Sequence, residues 1–310
     1  MVIKTPIIDK AVEYIEETTF GVPPKDGAMQ WIGLVDSFAP PVETELAKTV
    51  YLSAYAASNK LMDYRYTKTG MKLIPIDFTF YPQDWNLLEY FTGSASGFSD
   101  TVKSLCFLRK LGAKYYVFKA ALGTKYEVSV PENGRVSISA SVLCGHSSAP
   151  VSDDPLLTAG GELYGTGSGS HASEAAGEQF TWDGLSGMTM DANADPTTDI
   201  AAVVGGIKFS FTQTVEMPLD STSALSTKAA GGVVMKPRDV SVSLEIVDVD
   251  NSIDDLVRNV TKQNFKFALG GKTFIFKNLI FPKYIGEAKP SDLVGEEITA
   301  VMDQPELSIT

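Results

Sequence analysis

Histidine and cysteine are nearly missing from this chain. Its 310 residues hold two of each: Cys106, Cys144, His146 and His171. Two cysteines so far apart, without a C-x-x-C or a Cys/His ligand spacing, exclude a zinc module. They are expected as two buried thiols of a reducing compartment. No G-x-S-x-G elbow frames a serine nucleophile near either histidine. Gly165-Thr166-Gly167-Ser168-Gly169 has the composition of a phosphate loop, but it lacks the Lys-Ser/Thr ending and a preceding strand. No apolar run reaches membrane-spanning length. The first twenty residues carry Asp9, Glu13, Glu16 and Glu17 in place of an apolar core with a basic flank, so a signal peptide is not expected. Positive charge is also short. There are 26 Lys and Arg against 38 Asp and Glu, a net charge of −12, which excludes a clamp that works by neutralising phosphates.

The acidic residues do not form a metal site either. A calcium loop begun at Asp248 would need Gly where Ile253 stands and Glu where Asn259 stands. Asp153, Asp154, Asp191, Asp195 and Asp199 read as solvated loop charges. Catalytic, cofactor-binding and metal-binding residues are therefore all expected to be none, and no enzyme is indicated.

What the chain does have is enough apolar sequence for a packed core, 44% of its residues, and strand patterning. In residues 239–260, Val240, Val242, Leu244 and Ile246 alternate with polar residues, the period of a half-buried strand. Ile253, Leu256, Val257 and Val260 then fall on one face of a short helix, with Ser252 at the N-cap and Asp254 and Asp255 in the first turn. The same unit occurs earlier. Ile74, Ile76, Phe78 and Phe80 alternate, and Asp84 caps a segment with Leu87, Leu88 and Phe91. Met71-Lys72 and Met235-Lys236 precede the two strands.

The echo extends into a repeat. Residues 33–38 (Gly-Leu-Val-Asp-Ser-Phe) match residues 206–211 (Gly-Ile-Lys-Phe-Ser-Phe), and Lys119-Ala120-Ala121-Leu122-Gly123-Thr124-Lys125 matches Lys266-Phe267-Ala268-Leu269-Gly270-Gly271-Lys272 as a hairpin. The offsets are 173 (206 − 33), 164 (235 − 71) and 147 (266 − 119). This predicts a mainly β chain with two tandem barrels or sandwiches, each flanked by a short helix. The expected boundaries are an N-terminal arm over 1–28, a first barrel over 29–145, a Gly/Ser-rich flexible linker over 146–179 and a second barrel over 180–310. Ile7, Ile8, Ala11, Val12 and Ile15 suggest a weak helical stripe in the arm. Residues 93–112, with Leu105-Cys106-Phe107-Leu108, read as an insertion in the first copy. The Tyr-rich connection over 43–72 is either a hairpin packed on its own domain or an arm that reaches another subunit.

Glu17-Thr18-Thr19-Phe20-Gly21-Val22-Pro23-Pro24 resembles the E-x-T-[YF]-G-x-x-P opening of tail tube proteins from viruses with long, non-contractile tails. The strand at 33–38, the strand-helix unit and Leu293-Val294 fit the same pattern. The resemblance implies a β-barrel whose strands join those of neighbouring subunits in a ring, with rings stacking into a tube. For a two-barrel chain it implies a homotrimeric, pseudo-hexameric ring in preference to a hexamer. It also implies that the long loop after the first strand contacts the next ring, which selects Tyr51, Leu52, Tyr55, Tyr64 and Tyr66, with Met217, Leu219 and Leu225 in the second copy. Its implied partners are other copies of the chain, a tape measure protein, a tail terminator and baseplate or tail tip proteins. Double-stranded DNA passes without specific binding, there is no membrane insertion, and a chain made in the host cytoplasm ends in the virion tail. The alternatives are another β-rich part, such as a terminator or baseplate hub, and a β-sandwich that binds a ligand or glycan.

Overall fold

The computed structural model describes residues 11–40, 46–51, 63–68, 73–101, 103–147, 151–161, 163, 168–173, 177–200, 204–216, 234–246, 262–281 and 296–310. The first half contains β1 (Ala11–Glu16), β2 (Gln30–Trp31), β3 (Leu34–Ala39), β4 (Leu46–Tyr51), β5 (Asp63–Lys68) and β6 (Ile74–Tyr81). A 3₁₀ turn, Asn86–Leu88, then leads into the short helix α1 (Glu89–Thr92). It is followed by β7 (Gly93–Ser94), β8 (Gly97–Phe98), β9 (Leu105–Leu111), β10 (Lys114–Pro131) and β11 (Ser137–Ser147). The second half contains β12 (Ser186–Asp191), β13 (Val204–Thr212), β14 (Val215–Glu216), β15 (Val234–Met235), β16 (Asp239–Ile246), β17 (Gln263–Leu269), β18 (Lys272–Ile280) and β19 (Glu296–Ile309).

The chain is mainly β, as its alternation predicts. In β6 and β17 every second side chain is buried, the pattern of strands that cover a core with one face. The main sheet runs β12-β17-β18-β19-β16-β13-β10-β11-β6-β3, with β1 added on the free side of β9. Among the described residues its ladder is open, with no pairing that joins β12 to β3.

The repeat is present in the pairing. The first half is ordered β1-β9-β10-β11-β6-β3 and the second β12-β17-β18-β19-β16-β13, the same sequence of six strands. Registers repeat to the residue. Phe118 faces Phe107, and Phe276 faces Phe265; Ala121 faces Leu105, and Leu279 faces Gln263. Both ladders skip between these pairs, at a bulge where Ala120 has φ 56° and Asn278 has φ 60°. All these positions differ by 158 (276 − 118). β3 and β13 share a second bulge, after Val35 and after Val204, at an offset of 169 (204 − 35). β6 and β16 stand 166 apart (245 − 79), and β1 and β12 stand 176 apart (190 − 14).

The pairing and the strand bounds correct four expectations. Residues 33–38 do not align with 206–211, because Ser37 is the counterpart of Gly206, at an offset of 169 (206 − 37) rather than 173. Residues 119–125 are not a hairpin; they lie inside β10. The true counterpart of the Leu269-Gly270-Gly271-Lys272 turn is Leu111-Gly112-Ala113-Lys114, a two-residue loop opened by Gly112 at φ 59° as the other is by Gly270 at φ 58°. Leu105-Cys106-Phe107-Leu108 is not an insertion. It is the start of β9, the partner of β17 in the repeat. Finally, Ala11–Glu16 is a strand rather than part of a helical stripe. The helix expected over Ile253, Leu256, Val257 and Val260 lies outside the described residues.

The two halves share one core. Phe38, Phe78, Phe107 and Phe118 fill its first-unit end, and Phe209, Phe267, Phe274 and Phe276 its second-unit end. At the seam Tyr126 of β10 stacks on Phe211 of β13, with centroids 6.3 Å apart and planes at 8°. Trp85, just before α1, donates from Nε1 to the Leu269 carbonyl at 3.0 Å and meets the Phe274 ring edge-on at 5.0 Å.

A second apolar cluster lies on the other face of β1, β9 and β10, where Ile15, Cys106, Leu108, Tyr115 and Val117 pack under Leu156 and Leu163. The described part of the expected flexible linker is therefore a packed cover. Val151 exchanges both backbone hydrogen bonds with Tyr115 (2.9 and 3.1 Å), and Met29 donates to Ser170 at 2.9 Å. Cys106 and Cys144 are both buried thiols, as expected.

Candidate assembly surfaces

β10 continues well past the part that matches the described residues of its counterpart β18, and the continuation has a partner of its own. Residues 114–121 pair with β9. Beyond the bulge at Gly123, Lys125 to Pro131 pair with Thr212 to Gly206 of β13. The first strand of the second unit is thus seated on the far half of a first-unit strand. The equivalent first strand of the first unit, β3, pairs only with β6, and among the described residues nothing extends the ladder on its outer side. Pro40 follows β3 directly, a residue without an N–H that limits how far such an edge can pair.

Two ribbons leave the main sheet at equivalent places. β4 and β5 form their own two-stranded sheet between β3 and β6, and β14 and β15 form another between β13 and β16. Of the residues selected for contact, Tyr51 lies in β4, and Tyr64 and Tyr66 lie in β5 opposite Val50 and Lys48. Leu52, Tyr55, Met217, Leu219 and Leu225 lie outside the described residues.

Over β3, β6, β11, the second half of β10, β13 and β16 the sheet face turned away from the main core is polar. One cross-strand row reads Ser37, Thr79, Ser139, Glu127, Ser210, Ser241. The next reads Ser129, Lys208, Ser243, Thr299. Its groups satisfy one another. Ser141 donates to Asp77 at 2.5 Å, the Ser210 and Ser241 hydroxyls lie 2.8 Å apart, and so do those of Ser243 and Thr299. Lys125 pairs with Glu127 at 2.8 Å and Lys208 with Glu297 at 3.9 Å. Asp77, Glu127, Glu245 and Glu297 outnumber these two lysines. The signal for this face was in the sequence as serines alternating with core residues, which the reading by apolar period alone passed over.

The Glu17 motif is a fastening. Its buried carboxylate accepts hydrogen bonds from the Gly21 N–H (2.7 Å), the Ala120 N–H (2.8 Å) and the Ser104 hydroxyl (2.6 Å). Burial pushes its pKa up, and the bonds from Ala120 and Ser104 work against that shift. The loop over 18–22 is thereby tied to the left-handed residue of the β10 bulge. At the equivalent bulge the Asn278 N–H donates to the Asn264 side chain at 2.8 Å.

His171 meets no nucleophile. Its ring nitrogens face Glu13 (3.0 Å) and Asp154 (2.7 Å). Asp191, read as a loop charge, accepts from the backbone of Thr197 (2.8 Å), Asn193 (2.7 Å) and Thr198 (3.1 Å), which hold its carboxyl well below the usual range.

The sequence profile of the phage tail tube protein family matches residues 8–305, nearly the whole chain. The chain belongs to that family. A search among curated proteins gives no match. Membership makes this tail tube protein a structural component of a virion tail, in a family that is structural rather than enzymatic. Among its described residues no helix is long and apolar enough to cross a membrane.

Proposed function

We propose that this tail tube protein is a two-unit subunit of the long, non-contractile type. Three chains close a ring of six units, and rings stack into the conduit through which the genome leaves the virion. The observation that carries this reading is the internal seam between β10 and β13. The chain already contains one unit-to-unit junction, and it leaves bare the strand, β3, that is equivalent to the one used there. Repeating the junction between chains seats β3 of one copy against the next copy, so that the edge that is a hazard in a monomer is the joint of the assembly.

The polar face supplies the wall of the conduit. Its hydroxyls are bonded to one another and its acids outnumber its lysines, so duplex DNA meets no row of unpaired cations that would hold its phosphates. The β4–β5 ribbon, with Tyr51, Tyr64 and Tyr66, reaches the adjacent ring, and the connection containing Met217, Leu219 and Leu225 does the same from the second unit. Tape measure, terminator and tail tip proteins are the remaining partners.

Electron microscopy of the purified protein over a concentration series tests the reading. Hollow tubes or stacked rings are the expected result. Shortening residues 46–68 to a tight turn should leave folded rings that no longer stack. Compact monomers at every concentration, or normal tubes from the shortened variant, would contradict the respective parts of the proposal.

A further inference from the structure

The contact between His171, Glu13 and Asp154 has a chemistry that the tube does not explain. Each ring nitrogen of His171 points at a carboxylate, Nδ1 at Glu13 (3.0 Å) and Nε2 at Asp154 (2.7 Å). A neutral imidazole has one N–H, so only the imidazolium donates to both. Glu13 is 4% exposed and lies on β1 between Trp31 and Leu108, so without a cation beside it a buried carboxylate has its charge uncompensated, with the Ala172 N–H as a further hydrogen-bond donor to it. Asp154 and His171 both belong to the covering segment, and Glu13 belongs to the sheet it covers. The triplet therefore joins cover to sheet. Asp26 packs against the same cover, its Oδ1 accepting from the Ser168 N–H at 3.1 Å. Further charged or titratable groups are Lys110 on β9, Tyr115 on β10, whose ring Lys110 overlies at 4.8 Å, and Lys114, whose ammonium donates to Ser152 at 2.9 Å. They lie toward the Asp154 end, and Glu13 has no lysine or arginine in a salt bridge among the described residues.

We propose that the described residues 151–161, 163 and 168–173 act as a pH-sensitive strap, fastened over the outer face of the first unit by protonated His171 and loosened when that proton leaves. Burial opposes the charge on His171, but the hydrogen bonds and charges of Glu13 and Asp154 outweigh it and raise its pKa. Burial also raises Glu13, so the cluster retains a proton that free side chains would release. For a group with a raised folded value, the stabilisation is complete below the ordinary value of 6.5 and is lost as pH rises through the folded value. Loosening uncovers Ile15, Leu108 and Val117, an apolar face closed in acid and more open in alkali.

Cys106 reports the event, because its thiol lies in the apolar cluster beneath the strap while Cys144 lies in the main core. In a Cys144→Ala chain, the rate of Cys106 alkylation is measured from about pH 5.5 to about pH 9 and divided by the rate of the same chain unfolded in urea, which removes the thiolate's own pH dependence. The corrected rate should rise roughly tenfold, the value of one charge-assisted hydrogen bond. Adding His171→Gln should give a rate that is already high and flat across the range. Hydrogen exchange at the Met29 and Ser170 amides in the unmodified chain should show the same opening, so a variant that fails to fold does not remove the test. A flat corrected rate in the parent, or the same rise with and without His171, overturns the proposal.

Discussion

The outer faces of the two units show how one scaffold can be finished in two ways. Ile15, Cys106, Leu108, Tyr115 and Val117 occupy the positions that Asp191, Asn264, Lys266, Thr273 and Ile275 hold in the second unit, by offsets of 176 (191 − 15) for the first pair and 158 (264 − 106) for the rest. The first set is apolar and lies under a strap whose Leu156 and Leu163 complete a small core. The second set is largely polar. Asp191 holds the loop over 193–198, Asn264 donates to the Asn193 carbonyl at 2.7 Å, and Lys266 meets Asp195 at 2.7 Å. Backbone pairing is conserved between the halves to the level of a shared bulge, while the means of covering the outer face is not. Strand pairing is therefore what the two halves share, and their outer faces differ because each half has its own cover.

Removing the covers should break the comparison most visibly. Replacing residues 151–173 with a Gly/Ser spacer exposes a contiguous apolar patch, and the protein should be lost to aggregates in a light-scattering assay. Replacing residues 193–198 in the same way exposes polar side chains and should leave it soluble. A smaller effect comes from Leu156→Ala, which empties a buried site and should lower stability in urea unfolding by about 2–5 kcal/mol. Thr273→Ala, at a half-exposed position of the second unit, should stay within about 0.5 kcal/mol. Glu17→Gln sharpens the comparison at the bulge. The amide turns donors toward donors at a buried site, for a loss of about 1–3 kcal/mol. Asp195→Ala, which removes an exposed ion pair with Lys266, should also have a small effect and cost under about 1 kcal/mol.

The same contrast explains what the sequence made legible. β6, β16 and β17 are covered on one face, so their apolar residues alternate and the strands are readable. β9 is covered on both faces where Leu105-Cys106-Phe107-Leu108 stands, and a strand buried on both faces reads as a run without a period. That is why its start reads as an insertion, while in its counterpart strand Phe265, Phe267 and Leu269 recur at every second position. Without β9 in the pattern, the Leu-Gly-x-Lys turn of the second half finds its match at residues 119–125, where five of seven letters agree and Leu122-Gly123-Thr124-Lys125 has the same spacing, although the pairing puts those residues inside β10. The linker misread has a different cause. Gly- and Ser-rich composition signals backbone freedom, yet two leucines and a histidine between two carboxylates are enough to hold such a segment down. The candidate assembly surfaces were legible only in outline. A polar sheet face and an unpaired edge are properties of pairing order, which no local pattern carries.

The most direct test of the two-unit account is the number of chains in one ring. Rings isolated from the assembling protein can be weighed by native mass spectrometry and averaged by electron microscopy. The account predicts three chains and an image with three-fold symmetry that approximates six-fold, each chain contributing two units joined as β10 joins β13. Six chains per ring would contradict it, because the internal seam would then not be the template for the junction between subunits.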